Sequence, residues 1–96
     1  MSKLRKSARD QSCQVRIPGY CNFDSSTVVL AHLNGGGMGA KRPDWQGAFC
    51  CSACHDVIDG RVKSMWKKGE IRLWHLEGVI RTQEIWLADG LLEVTR

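Results

Sequence analysis

Five cysteines, at positions 13, 21, 50, 51 and 54, stand in a chain of only 96 residues. A chain this short buries about 60–65% of the surface that its unfolded form exposes, so its apolar core alone is marginal. It needs a staple: a set of disulfides, a bound metal or a partner chain. The odd count weighs against a full disulfide framework, which would leave one thiol over. The first residues, MSKLRKSARD, carry positive charge with no apolar stretch behind them, so they do not read as a secretory signal. The expected compartment is then the reducing cytoplasm, where thiolate–metal sites replace structural disulfides. No apolar run approaches the ~20 residues of a membrane span. With 43% apolar and 25% charged residues, the chain reads as one small globular domain over residues 1–96.

The net charge of +4 is unevenly placed. Residues 1–16 hold Lys3, Arg5, Lys6, Arg9 and Arg16 against Asp10, and residues 61–68 hold Arg61, Lys63, Lys67 and Lys68 with no acid. Two basic segments on a slightly acidic body suit a polyanion, because Lys and Arg on phosphates release counterions. Ordinary solvated charge is the blander alternative.

Asn34-Gly35-Gly36-Gly37-Met38-Gly39 reads as a flexible loop inside the domain. Before it, Val28 to Leu33 is β-branched and apolar, as a buried strand is. After it, Gly47-Ala48-Phe49-Cys50 is a second, short strand. Ser52 offers an N-cap to a helix from about Ala53 to Trp66, which Gly60 weakens. Gln14-Val15-Arg16-Ile17 alternates like a strand and meets a turn at Pro18-Gly19. Lys3 to Arg9 suggests a short basic helix. A long helix is expected over Glu70 to Ala88, stopped near Gly90. On it, Leu73, Leu76, Ile80 and Leu87 share one face, and Ile71, Trp74, Val79, Ile85 and Trp86 fall on the other. A helix apolar on two sides points to a homodimer. Trp45, Trp66, Trp74 and Trp86 are expected in the core or a dimer contact. His75 lies on the long helix, away from the other histidines, and receives no role.

Two constellations carry chemistry. Cys51-x2-Cys54 has the spacing of a metal knuckle, and Cys13-x7-Cys21 spans an arch that Pro18-Gly19 can turn back on itself. Four thiolates from the two pairs suit a structural zinc; plain small apolar side chains are the alternative. Cys50 points opposite to Cys51 on an extended strand and reads as a core residue or an unligated thiol. The second constellation is His32, at the end of the first strand, with His55 and Asp59. His55 and Asp59 stand four apart on one helix face and could hold one divalent cation, magnesium or another, although Asp59 could instead pair with Lys63. A neutral imidazole beside such a cation is suited to phosphodiester hydrolysis.

The order of a histidine-bearing strand, a loop, a second strand ending in C-x-x-C-H and a helix resembles the ββα-metal finger of HNH nucleases. The match is Ala31-His32 with Cys51-Ser52-Ala53-Cys54-His55-x3-Asp59. More closely, nearly the whole chain resembles the YbcO-like nucleases of phages and prophages. LRKSARDQSCQVRIPGYCN, VLAHL, CSACHDVIDGR and LEGVIRTQEIWL carry that likeness. The resemblance implies an α+β fold with a ββα-metal finger, a structural zinc on Cys13, Cys21, Cys51 and Cys54, and a long C-terminal helix. It implies His32 as general base, and His55 and Asp59 as ligands of the catalytic cation. Two departures stand out. Ala31 occupies the place where HNH nucleases usually carry Asp or His as a further ligand. Gln46 stands near the place of their central Asn, with Asp44 two residues earlier.

The expected function is a metal-dependent DNA endonuclease, nicking activity included, of phage or prophage type. Its phosphate contacts would come from Lys3, Arg5, Lys6, Arg9, Lys41, Arg42, Arg61 and Lys63. The main alternative, prompted by Ala31, is a non-catalytic zinc-stabilised nucleic-acid-binding module. A weaker one, prompted by the two-faced helix, is a protein–protein adaptor.

Overall fold

Among the described residues, two strands and three helices make up the regular structure. The computed structural model describes residues 2–33 and 42–95; Lys41 and the glycine-rich stretch before it lie outside the described residues. Helix α1 spans Lys3–Ser7, strand β1 Val29–His32, strand β2 Gly47–Cys50, helix α2 Ser52–Ile58 and helix α3 Lys68–Ala88. Single 3-10 turns occupy Ser25–Thr27 and Asp44–Gln46. The class is α+β, as the sequence implies.

β1 and β2 pair antiparallel, with Val29 opposite Cys50, Leu30 opposite Phe49, Ala31 opposite Ala48 and His32 opposite Gly47. Every residue of β2 is buried, so its free edge must be satisfied within the protein. The Phe49 N–H donates to the Thr82 hydroxyl at 3.0 Å, and its carbonyl accepts from the Gln14 N–H at 2.8 Å. The free edge of β2 is thus closed jointly by α3 and by the cysteine-bearing N-terminal arch.

The core centres on Phe49 and Trp86, both fully buried and packed edge to face at 5.6 Å. Trp86 Nε1 donates to Ser7 Oγ at 2.7 Å, which ties α3 to α1. Trp86→Ala is expected to cost about 3–5 kcal/mol, measured as a shift in the denaturation midpoint. A shift within error would show that this contact does not anchor the two helices.

Two expected elements differ from the structure. The helix predicted from Ala53 to Trp66 ends at Ile58, with Asp59 as its C-cap. Gly60 is the residue beyond the cap, with φ +76°. The Gly60 and Arg61 N–H groups return to Val57 and Asp56, closing a Schellman motif. Gly90 (φ +77°) closes α3 in the same way, as expected. The predicted strand Gln14–Ile17 is an irregular arch, because Arg16 adopts a positive φ of 53°. Its apolar alternation survives, with Val15 and Ile17 buried, but its backbone groups serve other partners. Of the two places expected for Trp45, its 49% exposure excludes the core and leaves the dimer contact.

α3 meets the arch at Gly78, where a Cβ would lie 2.9 Å from Val15 Cγ2 and 3.1 Å from Val15 Cα. Only glycine permits that approach. Arg81 reinforces it, donating to the Gln14 carbonyl at 2.6 Å. The faces of α3 divide as the periodicity predicts. Val79 and Trp86 are buried, while Leu73, Leu76, Ile80 and Leu87 are 54, 37, 56 and 42% exposed. Among the described residues no helix is long and apolar enough to cross a membrane.

Candidate metal cluster and histidine site

Cys13, Cys21, Cys51 and Cys54 converge, and their ligand atoms all lie within 4.8 Å of one another. Local structure explains the convergence. Gly19, at φ +82°, turns the arch, and the Tyr20 and Cys21 N–H groups close on the Ile17 carbonyl at 3.1 and 3.0 Å. Cys51 caps α2, its Sγ accepting from the Cys54 N–H at 3.4 Å. The Ile17 N–H reaches across to Cys54 Sγ at 3.4 Å. The Cys13–Cys54 and Cys21–Cys51 sulfurs are 3.9 and 3.8 Å apart. All five cysteines are free thiols. Four sulfurs at ~2.3 Å from one tetrahedral zinc stand about 3.8 Å apart. The cluster therefore fits a metal ion such as zinc, in donor type and spacing.

Its electrostatics agree. Hydrogen bonding from Cys50 and Cys54 holds the Cys13 thiol far below the usual thiol range. The Cys13 sulfur in turn pushes Cys54 upward. Burial, with the neighbouring Cys13 and Cys51, pushes Cys21 up to about 11. A divalent cation among the four sulfurs would favour their thiolate forms. Cys50 is outside the cluster and fully buried, as a core residue should be. The Cys13 and Cys54 sulfurs beside it push its thiol up, so it stays neutral.

His32 and His55 each face a carboxylate, in two separate pairs. His32 Nε2 lies 2.7 Å from Asp44 Oδ1. The Ser2 hydroxyl donates to the other carboxylate oxygen, and Ser2 is also the N-cap of α1. The Ser2 contact, then His32, holds the Asp44 carboxyl below its ordinary range. Asp44 thus orients His32 and fastens α1 to the end of the hairpin. Gln46 pins the same end, its carbonyl accepting from the Leu33 N–H at 3.1 Å. Ala31 is buried, and its carbonyl meets His75 Nε2 at 2.9 Å.

His55 Nε2 and Asp59 Oδ2 are 3.6 Å apart. Two ligands at ~2.1 Å from one octahedral cation stand about 3 Å apart, so a small torsional change brings these two to one ion. Asp59 pairs with Arg61 at 2.5 Å rather than with Lys63, and Arg61 also holds Asp56 at 3.0 Å. His75 is buried on α3 against the β1 backbone, a placement that the sequence did not suggest. It shares a cavity wall with Asp59. Burial holds its imidazole below the usual range. An apolar stripe is a poor pointer to a buried histidine, because the helical period places His75 without naming its partner.

The basic residues divide between two concavities. Arg5, Lys6 and Arg9 line one of about 750 Å³ beside Val28, Val29 and Leu30. Lys63 lines another, of about 630 Å³, with Asp59 and His75 in its wall. Lys3 is exposed on α1, and Arg42 donates to Gln46 Oε1 at 3.4 Å.

Fold and site together define a small α+β protein built on a tetracysteine cluster of metal-binding type, with histidine–carboxylate pairs beside it. Comparison with known proteins gives the family: the chain belongs to the one described as "Putative nuclease YbcO", matched over residues 2–91. It is 47% identical over 96 residues to "Putative nuclease YbcO" of Escherichia coli (strain K12), covering 97% of this chain and 99% of that one. The "Putative nuclease ybcO" of Enterobacteria phage 82 gives the same identity and coverage. A solved structure, "Structure of a putative bacteriophage protein from Escherichia coli str. K-12 substr. MG1655", superposes with a TM-score of 0.79 at 45% identity. That match covers 92% of this chain and 100% of that one.

Proposed function

We propose that this chain is a metal-dependent endonuclease of HNH type that hydrolyses DNA phosphodiester bonds, nicking included, in the cytoplasm of a phage-bearing host cell. Residues 1–96 act as one unit. The carrying observation is the pair of histidine–carboxylate contacts on successive elements: His32, at the end of β1, is oriented by Asp44 at 2.7 Å, and α2 presents His55 and Asp59. The order β1–β2–α2 and the nuclease names of the relatives support the same reading.

In this mechanism Asp44 holds the His32 ring through Nε2 and leaves Nδ1 to take a proton from water. The water oxygen then attacks phosphorus in line with the departing 3′ oxygen. His55 and Asp59 would hold the catalytic cation, magnesium or another divalent ion, which neutralises charge on the phosphate and the leaving oxygen. Arg5, Lys6 and Arg9 hold the flanking backbone without reading sequence. A structural zinc on the four cysteines keeps the arch, β2 and α2 in register. Plasmid nicking with magnesium or manganese tests the activity. DNA binding without cutting under any cation would leave a binding module, and salt-insensitive or absent DNA binding would leave an adaptor.

The exposed side of α3 favours a second copy as its cover. Leu73, Leu76, Ile80 and Leu87 recur at steps of three, four and seven residues, the spacing of a helix-pairing seam. Sedimentation at micromolar concentration should show a dimer that Ile80→Glu converts to monomer. A monomeric wild type would remove the proposal.

A further inference from the structure

We propose that the cavity between the end of α2 and the start of α3 is a nucleotide subsite, holding a phosphate and its base beside the bond that is cut. The placement beside that bond rests on the endonuclease reading; the binding of a nucleotide does not. The cavity, of about 630 Å³, has two kinds of wall. Lys63, Lys68 and Arg72 supply positive charge. Val57, Ile58, Trp66 and Ile71 supply an apolar surface. Its size falls within the range of small-molecule sites, and the mix of apolar surface with a few convergent polar groups is typical of them.

Charge decides the ligand class. Lys63, Lys68 and Arg72 make no ion pair among the described residues, whereas Arg61 and Arg81 do. Asp59 is the one acid in the cavity wall, and Arg61 already engages it. Three uncompensated cations around one opening favour an anion. A bare anion would leave the apolar wall wet, and a purely apolar ligand would leave the cations without a partner. A nucleotide satisfies both.

Position decides the role. Asp59 belongs both to the cavity and to the pair with His55, and His75 belongs both to the cavity and to the contact with Ala31 beside His32. A nucleotide here therefore adjoins the pair proposed to hold the catalytic cation. The wall is also built in advance. Trp66 Nε1 donates to the Pro18 carbonyl at 2.9 Å, and its ring packs edge to face on Trp74 at 4.7 Å. The Met65 N–H donates to the Tyr20 hydroxyl at 3.0 Å. The cavity is thereby tied to the cysteine arch, and a preformed wall spares the ligand the cost of ordering it.

The test uses the full chain and two probes, dTMP and inorganic phosphate, followed by amide chemical shifts and by calorimetry. dTMP should shift the amides of residues 57–72 and bind at least ~10-fold more tightly than phosphate. Lys68→Ala and Arg72→Ala, both at exposed positions, should each weaken dTMP about 10-fold, as loss of a charge-assisted contact does. Glu84→Ala, at an exposed position of α3 outside the cavity wall, should leave it unchanged. Equal affinity for phosphate and dTMP, shifts confined to α1, or unaltered binding in both variants would overturn the subsite. Wild type that binds dTMP here but nicks no plasmid would sink the endonuclease reading alone; nicking without dTMP binding would sink the subsite alone.

Discussion

Cys54→Ser should leave the chain unfolded. Cys54 is fully buried, accepts the Ile17 N–H and stands 3.9 Å from Cys13, so its sulfur joins α2 to the arch. Structural zinc contributes an apparent ~10–16 kcal/mol at neutral pH. The whole stability of a domain this size is about 5–15 kcal/mol, so the loss exceeds what the apolar core can offset. Far-UV circular dichroism should show the loss of helix, and elemental analysis should find one zinc per wild-type chain. A chelator should reproduce the effect in wild type. Cys50→Ser should cost only about 1–2 kcal/mol, because its hydroxyl can donate to the Cys51 carbonyl as the thiol does. A folded, metal-free wild type would end this account.

His32→Ala should lower nicking by about 10²–10⁴-fold, the range of a lost general base, without unfolding the chain. His55→Ala should abolish the response to the cation. Asp44→Asn should give a partial loss, since it keeps the shape but withdraws the charge that orients His32. The Asp44 carboxyl is held low, so its folded form favours ionisation. Its contribution to stability is present above the unfolded carboxyl value near 3.9 and is lost as pH falls through the lower folded value. Asp44→Asn should therefore flatten the acid limb of the stability profile. Nicking by His32→Ala at the wild-type rate would move the base elsewhere.

Much of this was legible in the residues. Cys51-x2-Cys54 announces a metal knuckle through spacing alone, and the α3 periodicity separates Val79 and Trp86 from Leu73 and Ile80 correctly. What escaped the sequence depends on single backbone angles and on contacts distant along the chain. Arg16 at positive φ converts an apparent strand into an arch, and Gly60 ends a helix that the apolar pattern would have continued. Asp44 meets His32 across a loop, and His75 meets Ala31 from 44 residues away. No local period encodes either encounter.

Gly78 has a consequence for the metal. α3 rests on Val15 and Gln14, inside the arch that brings Cys13 and Cys21 to the cluster. Seating the helix and closing the thiolate cage are therefore thermodynamically linked, and linkage is reciprocal. An ion held by the cluster would strengthen the seating of the helix by the same factor by which that seating strengthens its binding. A larger residue at 78 would register as lower zinc affinity, although no ligand is touched.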